Sequence, residues 1–159
     1  MYPPIPSPRC PGGRVVEPGL VELTLYLSGV SDLQLLQGLP INRLNLMEVK
    51  IADLSPLRGM KLYSLSAPIF FGQGKIRDLS PLRGLPLADL SIPGQPVEDF
   101  RPLWEVPLLE ALTVDQPLRQ LAVLEGHPGL KSISHPEVKG ASSIGEFWQA
   151  VHRRLRTEP

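Results

Sequence analysis

The chain has 159 residues, with 16 basic and 16 acidic side chains and a formal net charge of +0. This balance argues against a nucleic-acid partner, because surfaces that bind nucleic acid are usually strongly basic. No apolar run is long enough to cross a bilayer, and no signal peptide is visible. The single cysteine, Cys10, excludes an intramolecular disulfide. We therefore expect a cytoplasmic protein without membrane insertion.

The first segment, residues 1–18, is rich in proline and poor in apolar residues. Such composition is typical of a linker or extended tail. Pro8 and Pro11 also form a weak match to motifs that bind as polyproline helices. Because a stack of repeats normally begins with a capping element, we expect either an extra strand over residues 14–18 or a further domain upstream in a longer protein.

A short phrase of the form L-x-x-L-x-L recurs every 21 to 25 residues from residue 20 onward. Self-similarity at this period is typical of leucine-rich repeat proteins. Alternation within each phrase directs the leucines to one side of a short strand and the intervening polar residues to the other. The fourth positions of the phrases are Leu23, Leu44, Leu65, Leu90, Leu112 and Ile133.

A second motif follows each of the first four phrases, as in Ile51-Ala-Asp-Leu54 and Ile76-Arg-Asp-Leu79, at an offset that differs only in the third unit. Ser55-Pro56 predicts an N-cap followed by proline at the first helical position, and Gly59 predicts a left-handed end. An interior proline opposes a long helix, so short 3₁₀ turns are expected. In the fifth unit, Val123 replaces the proline.

These patterns predict an α/β fold, a leucine-rich repeat solenoid of about six units over residues 19–140. The parallel sheet would form the concave face, and the 3₁₀ turns would form the convex face.

The last segment, residues 141–159, carries a capping box at Ser143 and Glu146. It predicts an amphipathic helix over residues 143–156 that seals the last strand. A helix that binds a partner is the alternative. The expected apolar stripe consists of Ile144, Phe147, Trp148, Val151 and Leu155.

The third unit is irregular, because Ala67 ends its phrase and four additional residues follow within Pro68–Lys75. Insertions of this kind often carry function. Ile69, Phe70 and Phe71 are therefore expected to form an exposed contact knob. Alternatively, one phenylalanine folds back to fill the space that Ala67 leaves, as close packing would favour.

At the level of sequence motifs, the chain resembles the leucine-rich regions of planctomycete-type bacteria, which are often attached to serine/threonine kinase domains. The resemblance covers roughly residues 20–155. The motifs that carry it are Ile76–Pro86, Pro128–Ile133 and Ile144–Gln149. A looser similarity to the internalin type implies protein binding by the curved sheet. No kinase signature is present.

Motifs for chemistry are weak. Gly72-Gln-Gly-Lys75 lacks the glycine spacing and the Ser/Thr of a phosphate loop, and the three histidines lack the paired spacing of a metal site. We therefore expect no enzymatic activity, no cofactor and no metal.

The function predicted is binding of another protein through the concave strand face and the insert. The first alternative is a regulatory or spacer arm of a larger kinase-like protein, and the second is self-association through the N-terminal edge strand. The end of the face with Tyr26, Arg43 and Met47 carries residue types enriched at interfaces. The predicted contact residues are Glu22, Thr24, Tyr26, Arg43, Asn45, Met47, Ser64, Ser66, Asp89, Ser91, Ile69, Phe70 and Phe71, and the face continues through Thr113, Asp115, Ser132 and Ser134.

Overall fold

The fold is mixed α/β and is built on one six-stranded parallel sheet whose strands follow sequence order. The computed structural model describes residues 22–26, 30, 32–72 and 74–156. The predictions for residues 1–18 lie outside this range. The strands are β1 (Glu22–Tyr26), β2 (Arg43–Met47), β3 (Ser64–Ser66), β4 (Asp89–Ser91), β5 (Ala111–Thr113) and β6 (Ser132–Ser134).

The recurring leucine phrase sets the register of the sheet. The fourth residue of every phrase pairs with its counterpart on the next strand, so one continuous row runs from Leu23 to Ile133. Leu44, Leu65 and Leu90 in this row are almost fully buried. Burial of each such side chain stabilises the fold by about 1.5–3 kcal/mol. The register of the strands confirms the predicted parallel sheet.

Short 3₁₀ turns lie between successive strands, and their presence agrees with the prediction. They cover Gln34–Leu36, Ser55–Leu57, Ser80–Leu82, Arg101–Glu105 and Ala122–Leu124. Gly59 follows its turn in the left-handed region, with a φ of 73°, which also agrees with the prediction.

The prediction that Ser55 is the N-cap is wrong. Leu54 holds that position without a side-chain cap, and the Asp53 carboxylate accepts a hydrogen bond from the Ser55 N–H at 2.8 Å. An aspartate two residues before the donating N–H forms this turn more directly than the serine, because its carboxylate reaches the second N–H onward. The same bond recurs at Asp32, Asp78 and Asp99, at 2.7, 2.8 and 2.9 Å.

These carboxylates make the stability of the protein depend on acid. The side-chain and main-chain hydrogen bonds from Ser55 hold the pKa of Asp53 below its ordinary value of 3.8. Those from Ser80 lower the pKa of Asp78 in the same way. A carboxyl group with a depressed pKa stabilises the fold above its unfolded pKa, and this contribution is lost as the pH falls through the folded pKa.

We therefore expect the melting temperature to fall as the pH drops below about 4. The double variant Asp53→Asn, Asp78→Asn should show a shallower fall, because asparagine keeps a hydrogen-bond acceptor but does not titrate. Thermal melts followed by circular dichroism between pH 2 and pH 7 measure this. An equal fall in melting temperature at low pH in the two proteins would contradict the role of Asp53 and Asp78 in acid sensitivity.

The fifth unit departs from the others at Val123. A four-residue α-helix, α1 (Leu118–Leu121), runs directly into the 3₁₀ turn there. Proline stands at this position in the second, third and fourth units, where it disfavours helical backbone in the residue before it and removes an N–H donor. The first unit has Leu35 there and keeps the short turn Gln34–Leu36, so absence of proline permits the longer helical segment of the fifth unit but does not by itself produce it.

The final helix, α2 (Ile144–Leu155), confirms the predicted C-terminal helix. Ser143 Oγ accepts from the Glu146 N–H at 3.3 Å, and the Glu146 carboxylate accepts from the N–H of Ser142 at 2.7 Å. Phe147, Trp148 and Val151 are buried, and α2 packs against β6 and α1. Its apolar side is therefore occupied within the chain. Within the described ranges, no helix combines the length and apolar character that crossing a membrane requires.

Candidate interaction surface

The side of the sheet opposite the leucine row carries a polar surface, which we call the strand face. Parallel pairing places its residues in two neighbouring rows. Charged and hydroxylated side chains are mixed in the first row, and small hydroxylated side chains dominate the second. The first row is Glu22, Arg43, Ser64, Asp89, Ala111 and Ser132, and the second is Thr24, Asn45, Ser66, Ser91, Thr113 and Ser134.

The structure thus brings the predicted strand residues together on one surface. Asp115 is the exception, because it follows β5 and its carboxylate accepts from the Gly94 N–H at 2.8 Å and from the Gln116 side chain at 2.9 Å. These bonds give Asp115 a structural role in the turn after β5, although the residue is exposed.

Arg43 is held in place by a contact that the sequence pattern did not predict. Its guanidinium carbon lies 5.9 Å from the centre of the Tyr63 ring, within reach of a cation–π interaction. Tyr63 directly precedes β3, so the aromatic ring stands one strand away from the arginine. The interaction limits the freedom of Arg43 before any partner binds.

Tyr26 and Met47 adjoin one another at the carboxyl ends of β1 and β2. They are Cα partners in the sheet register, and Tyr26 is 60% exposed. An exposed tyrosine beside a partly exposed methionine provides an apolar area at the end of an otherwise polar face.

The insert after β3 presents two aromatic side chains to solvent. Phe70 is 66% exposed and Phe71 is 82% exposed, whereas Ile69 is only 5% exposed. The alternative in which a phenylalanine folds back into the core is therefore wrong, and so is the expectation that Ile69 is exposed. Leu65, Ala67 and Ile69 alternate toward the interior, which makes isoleucine the buried apolar residue of the insert. We call the exposed pair the Phe70–Phe71 knob.

Glu48 fixes the knob from one side. Its carboxylate oxygen Oε1 accepts from the N–H of Phe70 at 2.5 Å and from that of Phe71 at 3.2 Å. Its own N–H donates to the carbonyl of Pro68 at 3.1 Å. Glu48 is only 8% exposed and has a φ of 58°, a conformation that few residues other than glycine adopt. A buried carboxylate and a strained backbone are thus both committed to holding this loop.

Gln95 fixes the knob from the other side. Its side-chain oxygen accepts from the N–H groups of Lys75 and Ile76, both at 3.1 Å, and its amide donates to the carbonyl of Ala67 at 2.7 Å. Both ends of the insert are therefore bonded to one buried side chain from the next unit.

Close backbone contact completes the support of the insert. A Cβ atom on Gly94 would overlap the carbonyl of Ile69, and a Cβ atom on Gly74 would overlap the carbonyl of Gly94. Glycine is thus required at both positions for the insert to pack on the turn after β4.

The support extends through two further units by a series of side-chain bonds to main-chain carbonyls. The Gln116 amide donates to the carbonyl of Gln95, and His135 Nε2 lies 2.9 Å from the carbonyl of Gln116. His135 Nδ1 accepts from the N–H of Glu137 at 3.1 Å, which places the ring hydrogen on Nε2. The sequence signal for this series is the 21-residue spacing of Gln95 and Gln116.

His127 is similarly committed to the fold. Its Nε2 lies 3.0 Å from the carbonyl of Leu103, and its Nδ1 accepts from the N–H groups of Gly129 and Leu130. The part of the chain that the structure describes contains no group of three or more side chains arranged to hold a metal ion.

Removing the Glu48 carboxylate should loosen the knob without unfolding the protein. In Glu48→Ala, the amides of Phe70 and Phe71 lose their acceptor, which is worth about 1–3 kcal/mol for a charged partner. Hydrogen exchange of these two amides, measured by NMR, should accelerate about 10- to 100-fold. Glu98→Ala is the control, because that carboxylate forms only an exposed ion pair with Arg77. Unchanged exchange in Glu48→Ala would show that the anchor is dispensable.

No family model, no curated protein and no solved structure matches this chain.

Proposed function

We propose that this chain is a leucine-rich repeat solenoid that binds another protein through the strand face and the Phe70–Phe71 knob. The in-register leucine row, the 3₁₀ turns and the 21- to 25-residue period support the solenoid part of the proposal. In this fold the strand face is the concave surface.

The observation that carries the binding proposal is the exposure of two adjacent phenylalanines on a firmly anchored loop. Large apolar side chains that remain in water on a rigid support are typical of contact sites. Burial of one such ring against a partner contributes about 1.5–3 kcal/mol. Tyr26 and Met47 lie at the same carboxyl edge of the sheet and would extend the apolar contact.

The strand face supplies the polar part of the contact. Its serine and threonine hydroxyls each donate and accept, so they pair with main-chain or side-chain groups of a partner. Net contributions of about 0.5–1.5 kcal/mol per hydrogen bond give specificity more than strength. Affinity would therefore come from the knob, and orientation from the strand face.

A capture experiment with the full chain tests this proposal. Proteins retained by the immobilised wild type are quantified by mass spectrometry and compared with those retained by Phe71→Ser and Arg43→Glu. We expect Phe71→Ser to reduce retention of the specific partner at least about tenfold, and Arg43→Glu to reduce it less. Arg101→Glu, a charge reversal on the 3₁₀ side, is the matched control. Equal retention by the wild type and both face variants would refute the proposal.

Self-association is a second candidate, favoured by the first unit. Leu23 and Leu25 are only partly buried, whereas Leu44 and Leu46 on the next strand are fully buried. Leu35 is 90% exposed, and within the described residues β1 pairs with β2 alone. Sedimentation velocity over a hundredfold range of concentration tests this candidate. A constant monomer would exclude it. A spacer role within a kinase-like protein stays a prediction.

A further inference from the structure

The shape of the knob restricts what can bind it. Phe70 and Phe71 protrude from a loop that is bonded at both ends, so the loop cannot flatten to meet a planar surface without losing the Glu48 and Gln95 hydrogen bonds. A protruding aromatic ring loses its contact with water fully only inside a cavity. The complementary surface is therefore concave and apolar at its centre.

Positively charged side chains accompany the insert. The Lys50 ammonium lies 3.8 Å from the point where a Cβ on Gly72 would stand, directly beside Phe71 in the chain. Lys75, at the other end of the insert, is also exposed. Among the described residues, neither lysine forms an ion pair within 4.0 Å. The buried Glu48 carboxylate is occupied by two main-chain N–H groups of the knob.

We infer that the partner site is an apolar protein pocket whose rim carries carboxylate groups that face Lys50 and Lys75. This inference rests on the proposed function and adds the chemistry of the partner to it. Charge complementarity around a buried aromatic centre matches the usual arrangement of an apolar core and a polar rim at protein interfaces. The exposed Asp115 carboxylate accepts from the N–H of Gly94, which packs against the insert at Ile69. This negative charge argues for a protein and against an anionic lipid surface, which would repel it.

Two cyclic oligosaccharide hosts reproduce this chemistry without knowledge of the partner. Hydroxypropyl-β-cyclodextrin has an apolar cavity with a neutral rim, and sulfobutylether-β-cyclodextrin has the same cavity with an anionic rim. Each host is titrated into the isotopically labelled full chain at low salt. The amide shifts of Phe70 and Phe71 report the dissociation constant of each host.

We expect both hosts to shift these amides, with the anionic host binding about 2- to 10-fold more tightly, because each exposed ion pair contributes modestly. Phe71→Ser should abolish the shifts, whereas Leu35→Ser should preserve them. The double variant Lys50→Gln, Lys75→Gln should bind the two hosts equally. The double variant Lys131→Gln, Lys139→Gln changes the net charge equally and should keep the preference.

Equal binding of both hosts by the wild type would overturn the inference, and so would a preference that survives removal of Lys50 and Lys75. Neither result affects the proposed function, which the capture experiment judges separately. Vesicles of 70% phosphatidylcholine and 30% phosphatidylserine provide the other arm. Cosedimentation of the wild type that is lost in Phe71→Ser would replace the protein pocket with a lipid surface, whereas absence of cosedimentation supports the pocket.

Discussion

Replacing Phe100 with alanine is expected to lower the free energy of unfolding by about 3–5 kcal/mol. Phe100 is fully buried and is among the largest side chains of the core. It occupies the place that Leu33, Leu54, Leu79 and Leu121 hold in the other units. The alanine variant would lose the burial of the ring and leave a cavity between neighbouring units, which a stacked core cannot easily close.

Phe100→Leu is the matched control. Leucine already fits this position in four units, so the cost should be below about 2 kcal/mol. Urea unfolding followed by tryptophan fluorescence compares the three proteins, and a constant denaturant slope ensures that the midpoints report stability. Similar midpoints for the alanine variant and the wild type would mean that the interior is not close-packed around Phe100.

The second large effect is expected at Gly94. A methyl group there would overlap the carbonyl of Ile69, and the residue also has a φ of 77°. Gly94→Ala must therefore displace the insert or the turn after β4, at a cost of about 3–5 kcal/mol. The same displacement should free the knob, so hydrogen exchange at Phe70 should accelerate together with the loss of stability.

The variant Gly59→Ala separates the steric overlap at Gly94 from the cost of a positive φ. Gly59 has a similar φ of 73°, but nothing lies within 4 Å of the added Cβ. Its replacement by alanine should lower the free energy of unfolding only by the cost of a left-handed backbone in a residue with a Cβ, about 1–2 kcal/mol. The difference between the two variants measures the backbone contact between Gly94 and Ile69. Equal losses of stability would indicate that this contact is absent.

Much of the fold could be predicted because its determinants are local and repeated. The leucine phrase fixed which residues face inward, and six copies in step made the register of the parallel strands unambiguous. Ser143 and Glu146 marked the start of α2 for the same reason, since a capping box acts within one turn of helix. Asp53 shows the limit of such reading. Ser55 was the predicted cap, but the carboxylate that accepts at this turn belongs to Asp53, on the other side of Leu54.

The support of the knob was not predictable from these patterns. The bonds of Glu48 to Phe70 and of Gln95 to Lys75 join residues 22 and 20 positions apart, and neither belongs to the recurring motifs. The insert also placed Ile69 inside and the larger aromatic residues outside, against the usual preference for burying phenylalanine. That outcome follows from the alternation that begins at Leu65, combined with the hydrogen bonds that hold the next two amides.

The polarity of the stack determines how such a chain can become longer. Helix α2 closes the β6 end, while β1 continues the same row of Cα partners with Leu23 and Leu25 less covered. Each duplicated segment of about 21 residues inserted between existing strands would extend the sheet by about 4.8 Å and leave both ends unchanged. Gene duplication or protein design would therefore change the length of the sheet in steps of one strand, while α2 continues to cap the β6 end.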